Sequence, residues 1–283
     1  MKRVLVAGAT GYLGGYVVQE LKQRGYFVRA LARKPERLVP LGQSPDETVC
    51  GVVTRPETLE QVCDGIDVVF SSVGITRQKD GLSFRDVDYQ GNKNLLDAAR
   101  RAGVTRFVYV SVLDGPNLRQ LDIVRAHEEF VDELERSGID YSVLRPTGYF
   151  SDMGEIYDMA RKGRVYLIGD GRTRTNPIHG ADLAVRCADA VEGGDREIPL
   201  GGPDTMTWRE IAELALRAQN RPAKITCIPA WVMWTVVYVT RLFSRHYAEL
   251  MAFFTTLATR DVVGPVAGTR TLEAHYASLG EKP

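Results

Sequence analysis

At 283 residues, 44% of them hydrophobic and 25% charged, the chain suits one large α/β domain or a cofactor domain with a smaller lobe. Lysine plus arginine equal aspartate plus glutamate at 36 each, so no long-range field draws the whole chain to nucleic acid or to anionic membranes. Cys50, Cys63, Cys187 and Cys227 lack C-x-x-C spacing, which argues against a zinc site or a disulfide framework and for reduced thiols in a cytoplasmic setting. The first strand starts so close to Met1 that no signal peptide is expected.

The apolar run Val4-Leu5-Val6-Ala7 reads as a short buried strand, and it meets the turn Gly8-Ala9-Thr10-Gly11-Tyr12-Leu13-Gly14. Gly8 lets the chain turn sharply, Gly11 lets backbone amides approach a pyrophosphate, and Gly14 lets the following helix pack closely on the strand. That helix presents Leu13, Val17, Val18 and Leu21 on one face and closes at Arg24-Gly25. Its N-terminus offers amide donors and a partial positive charge to a phosphate. The G-x-x-G-x-x-G turn resembles the fingerprint of the short-chain dehydrogenase/reductase superfamily, in its extended and atypical branches. The resemblance implies a Rossmann-type, doubly wound parallel sheet that binds NAD(P), with Gly8, Thr10, Gly11, Tyr12, Leu13 and Gly14 against the cofactor.

A second strand is predicted from Phe27 to Ala32. At its end, about 20 residues past the glycines, an acidic side chain would bind the adenosine ribose of NAD. Arg33-Lys34 stands there instead, and a guanidinium suits a 2′-phosphate, so NADP(H) is expected. Thr48 to Val53 reads as the third strand. Relatives carry an acid at its end for the adenine, but Gly51-Val52-Val53 has none. Arg55-Pro56-Glu57-Thr58-Leu59 is predicted to open a helix. Asp67 to Gly74 follows as the fourth strand and its turn, with the small residues Ser71, Ser72 and Val73 at the edge expected to lie against the cofactor.

Asp88 begins a predicted long helix, and Gly103 to Ser111 the fifth strand. Tyr89 and Lys93 have the Tyr-x-x-x-Lys spacing of the superfamily's catalytic pair, but they precede the fifth strand, whereas that pair follows it. One helical turn accounts for the spacing by chance. The matching helix is the one opened by Asp122-Ile123-Val124-Arg125-Ala126-His127, followed by the strand Ile139 to Arg145-Pro146. There Ile123 holds the tyrosine position and His127 the lysine position, so the usual proton donor is missing. The resemblance, to the divinyl-chlorophyllide reductase-like and NmrA-like branches, places Pro146 beside the nicotinamide. Ser111, His127 and Tyr149 are the remaining candidates for proton chemistry.

Asn176-Pro177-Ile178-His179-Gly180-Ala181-Asp182 looks like the segment with which relatives return their substrate lobe to the core, with His179 read as structural or pocket-facing. Thr207, with Glu210 three residues on, predicts a capped helix reaching Asn220. From Ile225 to Thr240 there is no charge, and Trp231 to Phe243 is apolar on nearly every face. Pro229 leaves too short a run to span a membrane. A lid over a lipophilic pocket, a homodimer surface and a peripheral membrane patch, within residues 230–257, all remain open. Helices follow at Tyr247 to Thr256 and Thr271 to Leu279.

The expected organisation is an NADP-binding Rossmann core over residues 1–150 and a small C-terminal helical substrate lobe over 151–283, interleaved with the last core elements. Two functions are carried forward. One is an NADP(H)-dependent reductase of a bulky apolar small molecule. The other is a non-catalytic NADP(H)-binding redox sensor or assembly factor. No nucleic-acid partner and no metal are expected.

Overall fold

The computed structural model describes residues 1–38, 44–75 and 81–280. The chain divides into two compact units, Met1–Arg145 with Leu183–Ile198, and Pro146–Asp182 with Pro199–Pro283.

The first unit is built on strands β1 (Arg3–Ala7), β2 (Phe27–Ala32), β3 (Glu47–Cys50), β4 (Val68–Ser71), β5 (Arg106–Val110) and β6 (Asp140–Pro146). In the second unit and its return come β7 (Val165–Ile168), β8 (Arg174–Thr175), β9 (Glu197–Leu200), β10 (Met206–Thr207) and β11 (Ile225–Ile228). The seven-stranded parallel sheet has the order β3-β2-β1-β4-β5-β6-β9. Val4 pairs with Val28 on one side and Val68 on the other, which places the reversal of strand order at β1 and β4. Ligands of doubly wound sheets bind outside the carboxyl ends of the strands at such a reversal.

Helices α1 (Tyr12–Gln23), α2 (Asn92–Arg101) and α3 (Asp122–Arg136) flank these strands in sequence. The central strands β1, β4 and β5 are buried on both faces, as a sheet covered by helices on either side requires. Phe107, Tyr109 and Phe130 are wholly buried together in the core. Each large apolar side chain hidden in this way contributes about 1.5–3 kcal/mol.

Two predicted elements differ. The stretch opening at Arg55 is a single 3₁₀ turn, Pro56–Leu59, rather than a helix. The Thr58 hydroxyl accepts from the Val52 amide at 2.9 Å and also lies within hydrogen-bond distance of the Val52 and Arg55 carbonyls. That side chain competes with the helical ladder and holds the segment as a turn. The helix expected from Asp88 begins earlier, as a π-helical stretch over Arg85–Gly91 that passes into α2. Tyr89 lies in that stretch under the Arg85 guanidinium, and Lys93 pairs with Asp97 at 2.8 Å.

The second unit contains α4 (Phe150–Arg161), α6 (Trp208–Ala218), α7 (Ala230–Arg241), α8 (Arg245–Ala258) and α9 (Leu272–Gly280), while α5 (Gly180–Glu192) leads from it back to the first. Its core gathers Phe150, Tyr157, Ile211, Leu214, Leu272 and Tyr276. The predicted cap of α6 is present in both directions. Thr207 Oγ1 accepts from the Glu210 amide at 3.1 Å, and the Thr207 amide donates to Glu210 Oε2 at 2.7 Å. The Thr207 amide, and then its hydroxyl, hold the Glu210 carboxyl below its usual range. A cap of this kind is worth about 1 kcal/mol.

Candidate functional site

The glycine turn sits at the carboxyl end of β1 and is closed by Gly11 N–H to Gly8 O at 2.8 Å. Each glycine has a separate steric reason. Gly8 has φ +88°, and a Cβ there would stand 2.8 Å from Ser72 Oγ. A Cβ on Gly14 would lie 2.0 Å from Gly8 O, so no side chain is possible where α1 leaves the turn. The first rung of the helix is Gly15 N–H to Gly11 O at 3.1 Å, so the amides of Leu13 and Gly14 precede the ladder at the positive end of the helix dipole. Thr10 and Gly11 are exposed on the turn, Tyr12 is half-buried, and Leu13 is buried beneath it. A cradle of backbone that side chains cannot fill, at a helix N-terminus, fits a dinucleotide pyrophosphate.

The end of β4 lies beside this turn. The Ser72 amide donates to Ala7 O at 3.1 Å. The buried Ser71 hydroxyl donates to Asn92 Oδ1 at 2.6 Å, and Asn92 Nδ2 donates to Val73 O at 3.0 Å. Asn92 thus holds the Ser71-Ser72-Val73 edge from α2, a role its sequence context did not signal. Arg33 and Lys34 are exposed directly after β2. The adjoining Lys34 backbone is extended before the 3₁₀ turn Pro35–Arg37. These residues stand where the adenosine end of a dinucleotide meets the second strand of such a sheet.

The other candidates of the first unit fall into two adjacent buried networks served by consecutive residues of α3. His127 Nδ1 lies 2.5 Å from the hydroxyl of Tyr109, and its Nε2 lies 3.2 Å from Asp88 Oδ1. Asp88 is wholly buried; burial pushes its carboxyl up, and His127 opposes that shift. Asp88 also accepts the Ile75 amide at 3.3 Å. Gly74 makes room for the pair, since a Cβ there would stand 3.0 Å from Asp88 Oδ1 and 3.5 Å from the His127 ring. The next residue, Glu128, is also wholly buried. It accepts from Ser111 Oγ at 2.7 Å and from Arg145 Nη1 and Nη2 at 2.6 and 3.1 Å. Arg145 also donates through Nε to Glu197, and the two carboxylates hold its guanidinium charge above the usual range against burial.

Both ring nitrogens of His127 and the hydroxyl of Ser111 therefore have partners inside the protein. Ile123 is buried on α3. Asp88, Tyr109 and Glu128 were not singled out from sequence. Their only local signal is that Glu128 follows His127, because their partners come from distant segments.

Pro146 and Tyr149 belong to the second unit. Tyr149 is half-buried at the entry to α4, and its amide donates to Asp152 Oδ2 at 3.1 Å. In the same unit, the Asn176 to Asp182 segment is built from side chains that bind backbone. Asn176 donates to the Gly202 and Gly264 carbonyls and accepts the Gly264 amide at 2.9 Å. His179 Nδ1 accepts from the Ala181 amide at 3.1 Å, and its ring stacks edge-on against Phe150 and His275. Asp182 accepts from the Thr269 and Arg270 amides and from the Arg270 guanidinium. Burial, then the neighbouring His275 and Arg270, push the His179 pKa down to about 4.

The NAD(P)H-binding family profile matches residues 8–192. The chain is 29% identical to the photosystem II assembly factor Ycf39 of Guillardia theta over 99% of its own length and 89% of that protein's. It is 33% identical to the chloroplastic divinyl chlorophyllide a 8-vinyl-reductase of Zea mays over 83% of its length, and spans 64% of that enzyme. Among solved structures, an NADPH-dependent quinone oxidoreductase from Escherichia coli in complex with NADPH superposes with a TM-score of 0.75 at 19% identity, covering 99% of both chains. That last likeness is one of fold. From the glycine cradle at the strand reversal and the profile that begins on its first glycine, the chain belongs to the NAD(P)H-binding family.

Proposed function

We propose that the chain is an NADP(H)-dependent reductase of a bulky apolar small molecule. The observation that carries the cofactor choice is Arg33-Lys34, exposed at the end of β2 where a ribose-binding acid would exclude a 2′-phosphate. NADPH held in the Gly8 to Gly14 cradle supplies a hydride. The chain's part is to seat the pyrophosphate on α1, receive the 2′-phosphate on Arg33, and hold the Ser71 to Val73 edge against the ring end. The divinyl-chlorophyllide reductase relative supports a large apolar substrate class, and Tyr149 is the proposed proton donor.

Isothermal titration calorimetry tests this directly. NADPH is expected to bind at least about tenfold tighter than NADH, a difference of about 1.4 kcal/mol. Arg33→Ala should erase most of that preference and leave NADH affinity nearly unchanged. Equal affinities in the parent protein would remove the assignment.

A second reading is favoured by the internal bonding of Ser111 and His127 and by Ile123 at the usual donor position. On that reading the chain binds NADP(H) without turnover, as a redox sensor or an assembly factor of the kind its Ycf39 relatives are named for. Tight NADPH binding with no oxidation in the presence of divinyl chlorophyllide a or apolar quinones would favour it.

A further inference from the structure

The paired helices α7 and α8 present to solvent what a folded chain normally hides. Trp231, Trp234, Tyr238 and Leu242 recur at helical spacing and are 71%, 43%, 70% and 72% exposed. Phe243 follows at 85% exposure, and Tyr247 near the start of α8 is 61% exposed. Val237 is the one buried residue of α7. A contiguous face of this kind differs from the scattered apolar exposure of ordinary surfaces and marks an interaction site.

The hairpin itself leans cationic, although the chain as a whole is balanced. Residues 230–258 carry Arg241 and Arg245 against the single carboxylate Glu249. Glu249 is buried and accepts from Arg241. At the turn between the helices, Arg241-Leu242-Phe243-Ser244-Arg245 therefore brackets two exposed apolar side chains with two exposed arginines.

We propose that the α7–α8 hairpin docks this protein on the surface of an anionic phospholipid bilayer. Leu242 and Phe243 enter the acyl boundary, Trp231, Trp234 and Tyr238 lie at headgroup level, and Arg241 and Arg245 meet lipid phosphates. The hairpin lies on the bilayer and does not cross it. No helix among the described residues is long and apolar enough to span, and the 12 residues of α7 extend about 18 Å against a core of about 30 Å. Charge decides between a lipid surface and a second copy of the chain. A two-fold contact of the turn with itself sets its exposed arginines against identical ones, whereas the headgroups of an anionic bilayer complement them.

The full chain is to be sedimented with vesicles of phosphatidylcholine alone and of phosphatidylcholine mixed with phosphatidylglycerol. Binding to the mixed vesicles should be at least about tenfold stronger and should weaken as salt is raised. Leu242→Asp with Phe243→Asp should abolish it with the circular dichroism spectrum and thermal midpoint unchanged. As a second measurement on the parent chain, phosphatidylglycerol brominated on its acyl chains should quench tryptophan fluorescence. Three results would each overturn the proposal: no pelleting with either vesicle, equal pelleting with both, or a dimer in ultracentrifugation that the paired substitutions dissociate while vesicles leave the parent unbound.

Discussion

The imidazole of His127 and the carboxylate of Asp88 face each other at 3.2 Å beneath the turn after β4, with Asp88 wholly buried and the His127 side chain 12% exposed. The pair joins α3 to the π-helical stretch before α2, and Tyr109 completes the chain from β5. A buried carboxylate survives in such a place only with partners that replace its water.

Removing one member should therefore cost more than removing the charge. His127→Ala is expected to destabilise the fold by about 3–5 kcal/mol, because it strands a buried carboxylate. Asp88→Asn should cost much less, and the double variant should fall well short of the sum of the singles. Burial sets the folded pKa of Asp88 above its unfolded value, so this carboxyl weakens the fold as pH rises through the window between the two. Asp88→Asn should remove that dependence. Urea unfolding of the four proteins decides, and strict additivity would refute the coupling.

Tyr149 is the one candidate acid outside the two buried networks of α3. If it donates the proton that accompanies hydride transfer, Tyr149→Phe should lower kcat by about 10²-fold or more while NADPH affinity stays near the parental value. In the superfamily that the sequence resembles, the lysine at the position of His127 reaches the cofactor ribose, so His127→Ala, corrected for its effect on stability, should act mainly on NADPH affinity. Steady-state NADPH oxidation together with calorimetry separates the two effects. Parental kcat in Tyr149→Phe would exclude it as the acid.

His179 gives the second unit an acid-sensitive cap. Its folded pKa of about 4 lies below the unfolded value of about 6.5, so the unfolded chain takes up a proton first as pH falls through that window. The contribution of His179 to stability is intact near neutrality and declines from about pH 6.5 towards pH 4. His179→Asn, which keeps an acceptor for the Ala181 amide, should flatten this decline. Thermal midpoints of parent and variant at about pH 7 and pH 5 check it, and parallel declines would show that another group titrates.

Much of the cofactor cradle was legible in the sequence because its contacts lie within a single turn. The spacing of Gly8, Gly11 and Gly14 is a statement about atoms a few residues apart, and the clash at Gly14 is with Gly8 itself. The Thr207–Glu210 cap was readable for the same reason. Arg33-Lys34 follows from counting along one βαβ unit. Even at short range the chain misleads where a side chain competes with the backbone, as Thr58 does in holding a 3₁₀ turn where a helix was expected. What tertiary structure alone decided is which distant groups meet. Ser111 finds Glu128 across 17 positions, Asp88 finds His127, and Arg145 finds Glu197, pairings set by strand register and by which face of α3 turns inward. The same holds for Trp231 to Phe243. An apolar helix has one composition whether it is covered or bare, and the packing of the other elements left most of this one exposed to solvent.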